Sequence, residues 1–174
     1  LNGLGVVDSE LRYIRGLRRL ELLELVQTPL SDNGLEHLQS LSQLAALNLN
    51  RTRIGDAGLK YLATLTKMRD LYLFETRVTD AGLEHLKGMH DLRSLVLAGT
   101  KVGDAGLANL AGLNRLECLY LFDTKVTDAG LEHLAHLDDL RILDLDNTRI
   151  TDAGLRHINA LPLKRLSLAD TQVT

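Results

Sequence analysis

The side chains best suited to chemistry recur at a fixed interval. His37, His85, His133 and His157 form one series, and Asp32, Asp56, Asp80, Asp104, Asp128 and Asp152 form another. Imidazole and carboxylate are the usual groups of acid–base catalysis, and histidine is a common zinc ligand. A catalytic histidine needs a unique environment, whereas these hold one repeated slot that Tyr61 and Asn109 fill in two further copies. Neighbouring slots also lie a helix width apart, too far for zinc geometry. His90 and His136 fall near predicted helix ends, where a cation is mildly favoured. Ser9 follows Asp8 without the context of a triad. No phosphate-cradling loop or dinucleotide fingerprint is present. Cys118, the one cysteine, has no nearby cation in the sequence to depress its pKa. The chain reads as non-enzymatic, with no catalytic residue, metal or cofactor expected.

Binding chemistry is better represented. Tyr72 with Phe74, and Tyr120 with Phe122, hold four of the six aromatic residues. They flank a segment carrying the small Val96 and Ala98. If these segments are adjacent strands, the aromatic pairs stand about 10 Å apart and wall a shallow trough floored by Val96 and Ala98. Tyr and Phe offer large contact area at low entropy cost. The sequences 71–74 and 119–122 are identical, so duplication alone also accounts for the pairing. Asp123, Asp144, Asp146 and Asp170 place an acidic area beside the trough, suited to a basic partner or to solubility. Calcium needs six or more converging oxygens, which neighbouring strands do not supply.

A third series is basic: Arg53, Arg77, Lys101, Lys125 and Arg149. Such a row can track phosphates or an acidic peptide. Glu75 and Asp123 precede Arg77 and Lys125 by two residues, and the row is read as a self-neutralising edge. Arg51 with Arg53 is the one pair left unbalanced.

The elements that position these residues follow from a frame, Leu-x-x-Leu-x-Leu-x-x-Thr, that returns every 24 residues. Its threonines are Thr28, Thr52, Thr76, Thr100, Thr124, Thr148 and, one residue early, Thr171. A fixed period of this length means a solenoid. Paired leucines such as Leu95 and Leu97 alternate with smaller or polar residues, which predicts a strand with one buried face. A helical segment follows, with Thr79 expected as N-cap and Asp80 in the first turn. Glycine recurs inside that turn at Gly34, Gly58, Gly82, Gly106, Gly130 and Gly154, which implies close packing between neighbours or an irregular turn. The recurring threonine is expected to turn inward and bond backbone.

One strand and one short helix bury little alone, but stacked copies close a core. Helices are wider than strands, so the stack curves with the strands inside. Residues 1–174 read as one array. Within it, 1–19 is a degenerate partial repeat and 20–174 about six and a half regular ones. Val6, Leu11, Ile14 and Leu17 precede Leu30, Leu35, Leu38 and Leu41 by 24 residues, and Leu1 aligns with Leu25 in a strand. Both ends fall in mid-pattern and suggest a segment of a longer array, with end-to-end self-association as a consequence.

Composition agrees. Apolar residues are 45% and aromatics 3%, so the core is leucine, isoleucine and valine. A net charge of -3 gives no strong pull toward nucleic acid or membrane. No apolar run approaches the roughly 20 residues of a membrane span. One cysteine and no visible signal peptide fit a reducing compartment such as the cytoplasm, without fixing the location.

The phrase Thr-x-Val-Thr-Asp-Ala-Gly-Leu-Glu-His-Leu, at Thr76–Leu86 and Thr124–Leu134, resembles the leucine-rich repeat family. It is similar to bacterial arrays, planctomycete ones in particular, and to the cysteine-containing repeats of F-box proteins. Threonine replaces the family's usual Asn or Cys, no F-box precedes the array, and no cysteine-rich cap is present. The resemblance implies an α/β solenoid: a curved horseshoe with a parallel sheet on the concave side and short helices on the convex side. It implies a module that binds a partner protein on the concave face, here through Tyr72, Phe74, Val96, Ala98, Tyr120, Phe122, Asp123, Asp144 and Asp146. Two alternatives are an architectural spacer within a larger protein and a polyanion binder using the basic row.

Overall fold

A computed structural model describes residues 5–174. Three-residue strands and helices of one or two turns alternate through it. The strands are β1 (Leu22–Glu24), β2 (Ala46–Asn48), β3 (Asp70–Tyr72), β4 (Ser94–Val96), β5 (Cys118–Tyr120), β6 (Ile142–Asp144) and β7 (Arg165–Ser167). They form one open parallel sheet in chain order. Register advances by one repeat at each step, as in Leu71↔Leu95 and Leu95↔Leu119. The helices are α1 (Asp32–Leu35), α2 (Asp56–Leu62), α3 (Asp80–Leu83), α4 (Asp104–Leu107), α5 (Asp128–Leu131) and α6 (Asp152–Ile158). In α1, α3, α4 and α5 the α turn tightens at once into a 3-10 turn, as at Glu84–Leu86. Strands stack about 4.8 Å apart and helices need about 8–10 Å. The mismatch bends the array, with the sheet on its inner side.

The leucine frame fills the space between. From Leu25 to Leu145 the frame leucines of both strand positions are fully buried, as are the helix leucines and Met68 and Met89. Leucine suits this interior because its rotamers are well defined and it carries no polar group to satisfy. At the first turns Leu11 is buried, and Val6 and Ile14 pack against the core. Leu17 departs from the expected pattern: it is 51% exposed. The strand alignment expected for Leu1 lies outside the described residues. Leu166 in β7 is 38% exposed, because its strand is the last of the sheet.

Three further sets of bonds fix the array, one within each repeat and two between repeats. Each frame threonine donates its hydroxyl to the carbonyl three residues earlier, as Thr52 Oγ1 to Leu49 O at 2.7 Å and Thr76 Oγ1 to Leu73 O at 2.8 Å. The threonine thus turns inward as expected, but its bond closes its own repeat. Just before it the backbone enters the left-handed region at Gln27, Arg51, Glu75, Gly99, Asp123, Asn147 and Asp170, with φ from 51° to 65°. The amides of these turn residues continue the ladder into the next repeat, Arg51 N to Phe74 O at 2.7 Å and Glu75 N to Ala98 O at 3.0 Å.

The helix starts differ from the expectation for Thr79. Its hydroxyl makes no bond to its own helix. It donates instead to Asp56 Oδ2 of the preceding repeat at 2.7 Å, and the Thr79 amide donates to Asp56 Oδ1 at 2.8 Å. The same clamp joins Asp104 to Thr127 and Asp128 to Thr151. The recurring glycine is explained by this carboxylate. A Cβ on Gly82 would stand 2.5 Å from Asp56 Oδ1.

The last repeat is one residue short: Ile142 pairs with Arg165, 23 positions on. The missing residue falls between Leu161 and Leu163. There the amide of Leu163 bonds Leu161 O two residues back, whereas Leu140 reaches back three to Leu137.

Candidate functional site

The inner sheet face is built from the residues that alternate with the buried leucines. Tyr72, Val96, Tyr120 and Asp144 stand side by side in register on β3 to β6, all half-buried. One row earlier come Asp70, Ser94 and Cys118, equally half-buried. These two rows form a cluster around the Tyr72 phenol. Burial, first, and the Asp70 carboxylate push its pKa up, and a side-chain hydrogen bond with Ser94 opposes them. Tyr120 and Cys118 add smaller upward pushes. The Cys118 thiol is also raised, by burial and then by Glu117 and Asp70. A thiol held in its neutral form is a poor nucleophile.

The trough expected between the aromatic pairs does not exist in full. Phe74 and Phe122 lean toward each other to a ring-centroid distance of 5.6 Å, tilted by 44°. Ala98, in the repeat between them, is completely buried. Its methyl leaves the space the two rings fill, so it is a floor that no ligand reaches. Arg51 lies 5.3 Å from the Phe74 ring centre and covers its other side. A tilted aromatic pair of this kind contributes about 0.5–1.5 kcal/mol beyond simple burial. Val96 keeps its half-exposed place between the tyrosines. The open hollow lies two strands along the stack, over β1 to β3, lined by Leu22, Glu24, Ala46, Asn48, Asp70 and Tyr72. Leu22, at 58% exposure, stands at its rim.

The acidic residues are partly engaged by the fold. Asp146 Oδ1 accepts the Ala169 amide at 2.7 Å, and Asp144 Oδ1 accepts the Asp146 amide at 3.2 Å. Asn48 and Asn50 do the same four repeats earlier, with Phe74 N reaching Asn50 Oδ1 at 2.8 Å. Asp123 holds a left-handed turn position and accepts the Asn147 side-chain amide at 2.9 Å. The second oxygen of each of these aspartates makes no bond to the described residues.

The basic row is placed differently from the expectation. Glu75 does not compensate Arg77: it bridges to Arg51 at 2.8 Å, in the turn row. Asp123 pairs with Asn147 rather than Lys125. Arg51 is therefore balanced, and Arg53, Arg77, Lys101, Lys125 and Arg149 are the ones without a side-chain partner among the described residues. Their amides form a second ladder, each donating to a carbonyl 23 residues earlier at 2.8–3.3 Å, from Arg53 N–Leu30 O to Arg149 N–Val126 O.

The helical histidines lie on the convex side in separate repeats. His37 contacts Arg15 at 2.5 Å, and His85 stands 3.8 Å from Glu84. Among the described residues no group of three or more His, Cys, Asp or Glu converges as metal ligands. No helix there is long and apolar enough to cross a membrane.

An open parallel sheet backed by short helices, with a leucine at each inward position, defines a leucine-rich repeat protein. The model of the Leucine Rich repeat matches residues 44–63, 88–111 and 136–158. Among solved structures, the chain is similar to the internalin C2 of Listeria monocytogenes, with a TM-score of 0.76 and 25% identity over 96% of this chain and 78% of that one. It is similar to a second Listeria internalin (inlF), TM-score 0.73 and 21% identity, over 91% of this chain and 50% of that one. A leucine-rich repeat protein of Leptospira interrogans matches with a TM-score of 0.76 and 22% identity, over 94% of this chain and 40% of that one. The chain thus spans half or less of two of these bacterial relatives. No curated protein matches the sequence. Leucine-rich repeat domains are in general protein–protein interaction modules and typically non-enzymatic.

Proposed function

We propose that this module binds a partner protein on its inner sheet face, with Tyr72 and Tyr120 as anchors. The observation that carries the reading is the half-exposed cluster of Asp70, Tyr72, Ser94, Cys118 and Tyr120 across three strands, opening onto the hollow rimmed by Leu22. Two tyrosines in register around Val96 supply apolar area with a polar tip on a rigid support. The sheet fixes them before any partner arrives, so little entropy is lost on binding. Asp144 and the free oxygens of Asp123 and Asp146 favour a partner with basic residues beside its apolar anchor. Phe74 and Phe122 act at the margin, since their main contact is with each other.

The test is a Tyr72→Ala/Tyr120→Ala variant in capture from the source cell. The expected result is an unchanged thermal transition and loss of the protein that the wild-type chain retains. Undiminished capture of that protein by the double variant overturns the reading. Phe122→Ala is a poor substitute, because it also uncovers Ala98.

A further inference from the structure

We infer that the row Arg53, Arg77, Lys101, Lys125 and Arg149 is a second binding edge, distinct from the inner face, whose ligand is an extended acidic polypeptide segment. The five residues are held in register by the second amide ladder. The residue after each (Ile54, Val78, Val102, Val126, Ile150) is buried, and each member of the row is exposed, so all five side chains leave the same side of the array. Ladder pairing sets them about 4.8 Å apart. Like charges at that spacing repel, and no side chain among the described residues relieves them. The adjacent turn row behaves oppositely: Arg51 meets Glu75 and Asn147 meets Asp123. In the nearest regular series of carboxylates, Asp56, Asp104 and Asp128 each hold the threonine of the next repeat, while Asp32 and Asp80 receive only an amide and keep their second oxygen. The downward shift of the Asp128 carboxyl fits this. Burial pushes it up, the Thr151 and Gly154 bonds outweigh that, and the one cation that adds to them is His157.

The file of five spans roughly 19 Å, the length of about six residues of extended chain at about 3.4 Å each. It is one cation wide, and Glu75 and Asp123 border it, so a slender anion fits and a duplex does not. The residue before each member of the row is a threonine and the residue after it a buried aliphatic, so no aromatic ring interleaves with the row for nucleobases to stack on. A strand of carboxylates needs no such ring.

The experiment titrates the full chain into a short fluorescent oligo-glutamate peptide and reads anisotropy at low and high salt. Two variants accompany it. Arg77→Ser/Lys101→Ser/Lys125→Ser empties the middle of the row, and Lys60→Ser/Lys87→Ser/Arg156→Ser removes three exposed helical cations for the same change in net charge. The expected result is binding by the wild type that weakens as salt rises. The row variant should lose about tenfold, and the helical variant should bind like the wild type. Absence of binding, or equal loss in both variants, overturns the inference. Tighter binding of a single-stranded oligonucleotide than of the peptide overturns the assignment of ligand. The Tyr72→Ala/Tyr120→Ala chain should bind the peptide unchanged, which keeps this edge and the inner face separately testable.

Discussion

Asp56 holds Thr79 of the following repeat with both carboxylate oxygens, one on the amide and one on the hydroxyl. Two repeats lack half of this clamp. Gly55 and Gly103 replace the threonine, and there Asp32 and Asp80 receive only an amide, each at 2.6 Å. Gly103 has φ -135°, close to the -126° of Thr79. A Cβ on Gly103 meets nothing nearer than Asp80 Oδ2 at 3.6 Å.

Gly103→Thr should therefore complete the clamp. The hydrogen bond to a carboxylate and the reduced freedom of the unfolded chain act in the same direction, and about 1–2 kcal/mol of added stability is expected. A rise in the urea midpoint without a change in slope is the signature. An unchanged midpoint would deny the clamp its energetic role.

The helical glycines should divide by what faces them. Gly82→Ala drives a methyl into Asp56 Oδ1 and within 3.1 Å of Asp56 Cα and Leu59 Cδ1. The overpacking costs about 1–3 kcal/mol and exceeds the roughly 1 kcal/mol that alanine gains as a helix former. Gly88 has open space around its Cβ position. Gly88→Ala is expected to stabilise by about 0.4–1 kcal/mol. Opposite shifts of the two melting temperatures are the expected reading.

The turn row gives a complementary pair. Gly99 has φ 65°, and a Cβ there would lie 3.1 Å from Glu75 Cγ. Gly99→Ala should cost about 1–2 kcal/mol. Gln27 occupies the same turn at φ 56° with an exposed side chain. Gln27→Gly removes the left-handed strain and loses some chain entropy, for a net gain of about 0.5 kcal/mol. Denaturant midpoints of the two variants should move apart.

Acid should loosen the clamp between Asp128 and Thr151. The folded Asp128 carboxyl titrates below its ordinary value, burial being outweighed by the bonds from Thr151 and Gly154 with His157. A depressed carboxyl adds stability that is whole above the unfolded pKa of about 3.9 and is lost as pH falls through the folded value. Asp128→Asn should therefore be less stable than the wild type near neutrality, with the gap closing in acid. A gap that stays constant with pH would mean that Asp128 acts by shape alone.

The leucine frame made the solenoid readable, because each inward position repeats one residue type and period two marks its strand. Tyr72 and Tyr120 were legible for the same reason. What the sequence hid depends on neighbours 23 or 24 residues away. Ala98 looked like an exposed floor, and only the convergence of two rings from flanking repeats buries it. The partner of Glu75 is Arg51 rather than Arg77 because the chain turns left-handed at Glu75, a conformation that Gln, Arg, Glu, Asp and Asn do not advertise as glycine does. Asp70, Ser94 and Cys118 hold the row before the tyrosines on the same face, a placement visible in the spacing.

The short turn at Leu161–Leu163 shows where the array keeps its slack. Dropping one residue there leaves the preceding helix and the following strand in register, because the change falls after the one has closed and before the other begins to pair. Insertions grafted between helix and strand on the other repeats should be absorbed in the same way. That makes the seam, rather than the sheet face or the basic row, the place to attach a probe or a tether.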